Sequence, residues 1–212
     1  LGCPDWPGCY GFVFWPNDEV EIALAESRFP MFPYDINKAI PEQVHRLFAA
    51  ALGLVAILLV YLSFTKTKNN SIKKLSLFLL ILICCQGLFG YLTVSLNLLP
   101  IVVTTHLFGG FATLTLFYFI YLKSRNFEVF NQINISKIRL IASIAFVVLI
   151  FQIFLGVWTS TNYASLACAD FPTCQGSYFP EMDFRNGFNL NQEVGPNYLY
   201  GLLDNPARVA IH

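Results

Sequence analysis

The side chains in this sequence that could do chemistry together are its histidines, one glutamate and two matched pairs of cysteines. His45 lies four residues past Pro41, and His106 lies six residues past Pro100. Each opens a long apolar run, so at ~1.5 Å per residue the two imidazoles fall within about one helical turn of the same depth. Two level histidines on neighbouring helices could ligate one haem iron axially. His45, Ala49, Gly53 and Ala56 form a small-residue stripe at helical spacing, and His106, Gly109, Gly110 and Thr113 form another. A flat macrocycle between helices needs such relief. The alternative is a pair of interfacial histidines bonded to loops, with the small residues serving only close helix packing.

Glu42 precedes His45 by three residues and so shares its helical face. A carboxylate there could orient the imidazole or handle protons. It could equally be an acid favoured by the helix dipole behind Pro41. Arg46 could pair with a haem propionate or reach up to lipid headgroups. The third histidine, His212, opens a further apolar stretch and aligns with Glu42 as readily as with His45, which leaves its role as a ligand open.

The segment Cys3-Pro-Asp-Trp-Pro-Gly-Cys-Tyr-Gly11 is matched by Cys168-Ala-Asp-Phe-Pro-Thr-Cys-Gln-Gly176. Both fit C-x-D-aromatic-P-x-C-x-G, which points to an internal duplication. On an oxidising membrane face, two local disulfides, Cys3 with Cys9 and Cys168 with Cys174, are the natural reading. Zinc is the rival, although metal-binding cysteines usually stand two to four residues apart. Cys84 and Cys85 read as small core residues. A second repeat places Gln86, Gly90 and Thr93, then Gln152, Gly156 and Thr159, on one helical face each. It is either a close-packing face or a substrate contact.

These side chains need membrane helices to position them. The chain is 56% hydrophobic and 12% charged, with 21 Phe, where soluble domains carry about 25% charged residues. No charge occurs between Lys74 and Lys123, a run too long for a single crossing of a ~30 Å hydrocarbon layer. Asn97 and Pro100 mark its turn. Spans are expected at 45–65, 75–95, 101–122 and 140–160, with another beginning near Ala207. Lys66, Lys68, Lys73 and Lys74, then Lys123, Arg125, Lys137 and Arg139, assign their connections to the cytoplasmic side. The expected organisation is an outer, periplasmic loop 1–44; an amino-terminal half 45–122 with three spans; a cytoplasmic loop 123–139; the first span of a carboxyl-terminal half, 140–160; an outer loop 161–206; and a helix start at 207–212. The class is an all-α polytopic membrane protein.

Taken together, Cys3-Pro-Asp-Trp-Pro-Gly-Cys9, Pro41-Glu-Gln-Val-His-Arg46 and Gln86-x₃-Gly-x₂-Thr93 with Pro100-x₅-His106 resemble the haem A synthase family. So do Cys168-Ala-Asp-Phe-Pro-Thr-Cys174, Pro180-Glu-Met-Asp-Phe184 and Ala207-Arg-Val-Ala-Ile-His212. The resemblance covers essentially the whole chain. It implies a duplicated four-helix bundle within an eight-helix protein whose outer loops are clasped by disulfides. It implies oxidation of the C8 methyl of haem O to the formyl of haem A, with haem b in the carboxyl-terminal half and the substrate haem in the amino-terminal half. His45 and His106 then become the iron-ligating pair, Glu42 the carboxylate needed for turnover, and the two cysteine pairs the loop disulfides. Against that pattern the chain reads as a fragment lacking the first helix and everything after the start of the sixth. Haem O delivered by a haem O synthase, an electron donor of unknown kind, the lipid bilayer and a homo-oligomeric assembly are the implied partners, with no nucleic acid. A bacterial inner membrane is favoured over a mitochondrial one. A non-catalytic di-haem electron-transfer cytochrome is the alternative, and it leaves Glu42 and the paired loops unexplained. A membrane thiol oxidoreductase would want C-x-x-C spacing.

Overall fold

In the computed structural model, residues 2–125, 135–192 and 203–212 are described. Asp18 caps the first helix, α1 (Glu19–Arg28), which lies within the first outer segment. Asp35, rather than Pro41, sets where the first long helix begins. Its carboxylate accepts the Asn37 N–H at 3.0 Å, satisfying an otherwise unpaired first-turn amide. Helix α2 therefore runs Ile36–Lys66 with Pro41 inside it, and it reaches outward well beyond residue 45.

Helix α3 (Asn70–Ser95) starts behind Asn69, whose side chain accepts from Ser71 and Ile72 at 3.0 and 3.4 Å. Helix α4 (Pro100–Ser124) starts on a proline, whose missing N–H leaves nothing unpaired at that position. The turn between them bends through Asn97 and Leu98, both left-handed with φ of 52° and 58°. Asn tolerates that geometry; Leu adopts it at a steric cost. Helix α5 (Ile135–Thr161), a 3-10 turn Ala164–Leu166, and the short helices α6 (Phe184–Gly187) and α7 (Asn205–Ile211) complete the elements.

Helices α2 to α5 are long and apolar enough to cross a membrane, which makes this an all-α polytopic membrane protein. Their outward side chains agree: Leu54, Phe78, Leu114 and Val147 are each more than half exposed. In water each such group would cost about 25 cal/mol per Å², whereas hydrocarbon solvates it. The basic residues Lys66, Lys68, Lys73 and Lys74 gather at the α2–α3 connection, and Lys123 and Arg125 close α4 at that same end. Most of the expected inner loop (126–134, with Glu128) and positions 193–202 of the second outer loop lie outside the described residues.

Helix α3 is the central element of the first half. It packs against both α2 and α4, while α2 and α4 do not meet. The α2–α3 seam closes on Ala56 and Leu79, both fully buried, and on a buried hydroxyl pair, Ser63 Oγ to Ser76 Oγ at 2.7 Å. A bond of that kind between membrane helices contributes on the order of 0.6 kcal/mol.

Candidate functional site

The repeated nonapeptide proves to be a small structure in its own right. Cys3 and Cys9 are joined by a disulfide (S–S 2.04 Å), as are Cys168 and Cys174 (S–S 2.00 Å). With sulfur bonded to sulfur, no thiolate is left for zinc. In the first copy, Asp5 accepts the N–H groups of Tyr10 and Gly11 at 2.6 and 2.8 Å. In the second, Asp170 accepts those of Gln175 and Gly176 at 2.6 and 3.0 Å. The residues after the second cysteine are left-handed in both: Tyr10 and Gly11 at φ 55° and 82°, Gln175 and Gly176 at 55° and 76°. Two consecutive positive φ values make the tight two-residue hairpin, for which glycine is favoured at the second place. Cys9 pairs with Phe12 and Cys174 with Ser177 across it. The Asp, the second Cys and the Gly of the motif thus each have a specific structural job. Thr173 and the Gly176 N–H hold the Asp170 carboxyl below the usual carboxylate range.

Around the first loop, Cys3, Cys9, Tyr10, Ala25 and Ala39 are buried together, with Phe12, Trp15, Phe29, Phe32 and Tyr34 packed against them. Tyr10 donates to the Pro33 carbonyl at 3.2 Å. Burial, reinforced by Tyr34 and nearby carboxylates, pushes the Tyr10 phenol from 10.0 up to about 12. The folded state therefore favours the neutral phenol. Its contribution to stability is complete below about pH 10 and is lost as pH rises from 10 towards 12. An alkaline titration followed by tyrosinate absorbance and near-ultraviolet circular dichroism should show this outer unit loosening in that window. Tyr10→Phe should remove most of the transition.

One face of α2 holds this loop. Glu42 Oε2 accepts from the backbone N–H of Gly2 at 2.6 Å and of Cys3 at 3.3 Å. Its Oε1 accepts from Arg46 at 2.6 Å. Arg46 also donates to the carbonyls of Asp5 and Gly8 at 2.8 and 2.5 Å. Between them, Gln43 donates to Val13 O at 2.5 Å and is almost fully buried. Glu42 lies in the second turn of α2, so its anion is held by loop amides rather than by the first-turn N–H groups of its own helix. Trp6 meets Tyr91 of α3 edge-on at 6.0 Å, tying the loop to a second span. The close approach is specific at Gly2, where a Cβ would stand 2.1 Å from the Lys38 carbonyl oxygen, a backbone atom that cannot swing aside. Gly2→Ala is expected to lift the loop from α2 at a cost of ~1–3 kcal/mol. Faster proteolysis of the outer segment, or a lower melting temperature in detergent, would register it; wild-type values would deny the contact.

His45 and His106 lie on the two helices that leave a gap between them, with α3 behind. His45 is exposed and makes no hydrogen bond among the described residues. The two rings lie within electrostatic reach of each other. His106 is half-buried, and of its ring nitrogens only Nδ1 is sealed off, with no hydrogen-bond partner. Gly90 leaves the room beside it: a Cβ there would meet His106 Cε1 at 3.7 Å. One turn along, the Gln86 amide abuts Gly109, where a Cβ would stand 1.8 Å from its Nε2. Gln86 Oε1 and Thr104 Oγ1 are likewise buried without partners. An imidazole with an accessible nitrogen on each side of that gap could hold an iron-bearing macrocycle.

The second half uses its pattern differently. Thr159 donates to Ile211 O of α7 at 3.4 Å, Trp158 Nε1 donates to Gly187 O at 2.9 Å, and Gln152 is exposed. The His212 Nδ1 lies 3.0 Å from Ala164 O, which leaves Nε2 as its unbonded nitrogen. Sequence spacing gave no sign of Gly2, Gln43 or Tyr91, because their partners are distant in the chain. The nearest hint was the run of aromatic and glycine residues in the first loop.

Comparison with known proteins adds an independent finding. The model of a family described as cytochrome oxidase assembly protein (COX15-CtaA) matches residues 1–209. A haem A synthase of Shewanella oneidensis is 40% identical over 100% of this chain and 64% of its own length. Haem A synthases of Halalkalibacterium halodurans (24% identical; 95% of this chain, 64% of that protein) and Alkalihalophilus pseudofirmus (27%; 94% and 60%) are also similar. The chain thus spans somewhat under two thirds of the relatives it matches. No solved structure matches it significantly.

Proposed function

The chain belongs to the COX15-CtaA family of cytochrome oxidase assembly proteins, and from that premise we propose that its protein is a haem A synthase, oxidising the C8 methyl of haem O to the formyl of haem A. The observation that carries this reading is the placement of His45 and His106 on α2 and α4, two helices that do not meet, with α3 as the back wall. We assign the substrate haem O to that gap. Haem b belongs to the carboxyl-terminal half, where His212 directly follows α7. The relatives are bacterial, and disulfide-clasped outer loops suit the oxidising face of a bacterial inner membrane.

A bound haem supplies the iron at which oxygen and electrons from a membrane donor are handled. The chain's own residues do the rest. His45 and His106 would hold the haem. Gly90 leaves room for the His106 ring against α3, and Gly109 leaves room for the Gln86 amide. Glu42, about one-fifth exposed at the outer boundary, holds or passes protons between the site and the aqueous side. Arg46 and the amides of Gly2 and Cys3 fix that carboxylate in place. The disulfide loop, bound to α2 and α3 together, shields this end from water.

Pigment extraction tests the reading. Cells expressing the full-length protein are supplied with haem O, and their haems are separated by chromatography. Haem A should appear. Bound haem b with no formyl product would instead favour an electron-transfer cytochrome.

A further inference from the structure

We infer that Gln86 is the residue that orients His106: its side-chain carbonyl is the acceptor for the His106 Nδ1–H, and so presents Nε2 to a haem iron. This rests on His106 being a ligand, as proposed above.

Two buried polar atoms on the α3–α4 seam have no partner, Gln86 Oε1 and His106 Nδ1. They are complementary. A neutral imidazole that offers Nε2 to a metal carries its proton on Nδ1, and an amide oxygen only accepts. Leaving either unpaired in the interior is costly. They are also neighbours. Gln86 and Gly90 are i and i+4 on α3, His106 and Gly109 are i and i+3 on α4, and each glycine receives the opposite polar side chain. The two side chains therefore sit about one helical turn apart on one seam, so that a turn of the flexible Gln86 amide brings its carbonyl to the imidazole. Thr104, also unpartnered, is two residues from His106 and faces elsewhere on the helix. A metal-bound histidine generally needs such an acceptor on its second nitrogen to fix tautomer and ring plane. Gly109 belongs to the same device, because any side chain there would drive the amide away.

The test uses the full-length protein purified with haem O bound, in wild-type, Gln86→Leu, Gln86→Glu and His106→Leu forms. The haem component missing from His106→Leu is the one at this site. Gln86→Leu should weaken retention of that component ~10–100-fold. Gln86→Glu should keep it with a reduction potential shifted negative, since a carboxylate pulls harder on the Nδ1 proton. Wild-type retention in Gln86→Leu, or equal losses in Gln86→Leu and Gln86→Glu, would reduce Gln86 to a packing residue. If His106→Leu itself retained all its haem, the ligand assignment would fall first, a result distinct from either of those.

Discussion

Replacing Glu42 with Gln should stop haem A formation, lowering conversion of haem O ~10²–10⁴-fold, the range for loss of a positioned proton-transfer group. Chromatography of extracted pigments should then show haem O or a hydroxylated intermediate accumulating while haem b stays bound. The geometry explains why so small a change matters. Both carboxylate oxygens face donors: Arg46 on one side, the Gly2 and Cys3 amides on the other. An amide in place of the carboxylate must turn its NH₂ towards one of these sets. Hydrogen bonds to a charged group contribute ~1.5–3 kcal/mol when buried; with Glu42 and Arg46 at 22% and 12% exposed, the lower end applies. Gly2→Ala run in parallel separates seating from proton handling. Equal loss of product in both variants would mean that Glu42 serves only to seat the loop. Undiminished haem A in Glu42→Gln would remove it from the reaction altogether.

On the proposed ligation, His106→Leu should empty the amino-terminal site and abolish product, since α4 carries no second histidine. Leucine fills nearly the same space beside Gly90, where His106 Cε1 approaches a Cβ position to 3.7 Å. Helix packing is therefore largely kept, and the loss reads ligation. His45→Leu should behave alike, with less effect on folding because His45 is exposed. Haem content per protein and the low-spin absorbance bands report both. A protein that kept its full complement of haem after either change would place the substrate elsewhere.

The parts of this arrangement that could be read from sequence are those fixed by local rules. Apolar runs and basic loops marked the spans because lipid admits nothing else, and the spacing of Cys3 and Cys9 is short enough to close without help from the rest of the fold. Contacts across forty residues were hidden. Nothing about Glu42 in isolation shows that it meets Gly2, or that Arg46 gives its donors to Asp5 and Gly8 rather than to a propionate or headgroup. Asp35 shows the limit of reading a proline as a boundary: its cap starts α2 ahead of Pro41, which then lies inside the helix. The pairing of Gln86 with Gly109 was half legible. The repeat placed Gln86 on one face of α3, but only the α3–α4 seam shows that the amide needs a residue with no side chain opposite.

The outer loops have a further consequence for assembly. Their disulfide, aspartate clamp and hairpin all close within ten residues, Cys3–Phe12 and Cys168–Ser177. Closing so short a segment costs little chain entropy, and it needs no helix to be in place. Each clasp can lock as soon as its own stretch of nascent chain reaches the far side of the membrane, while later spans are still being made. Thiol oxidation is thereby uncoupled in time from haem loading. What arrives at the half-built bundle is a finished rigid cap, which then has only to be seated.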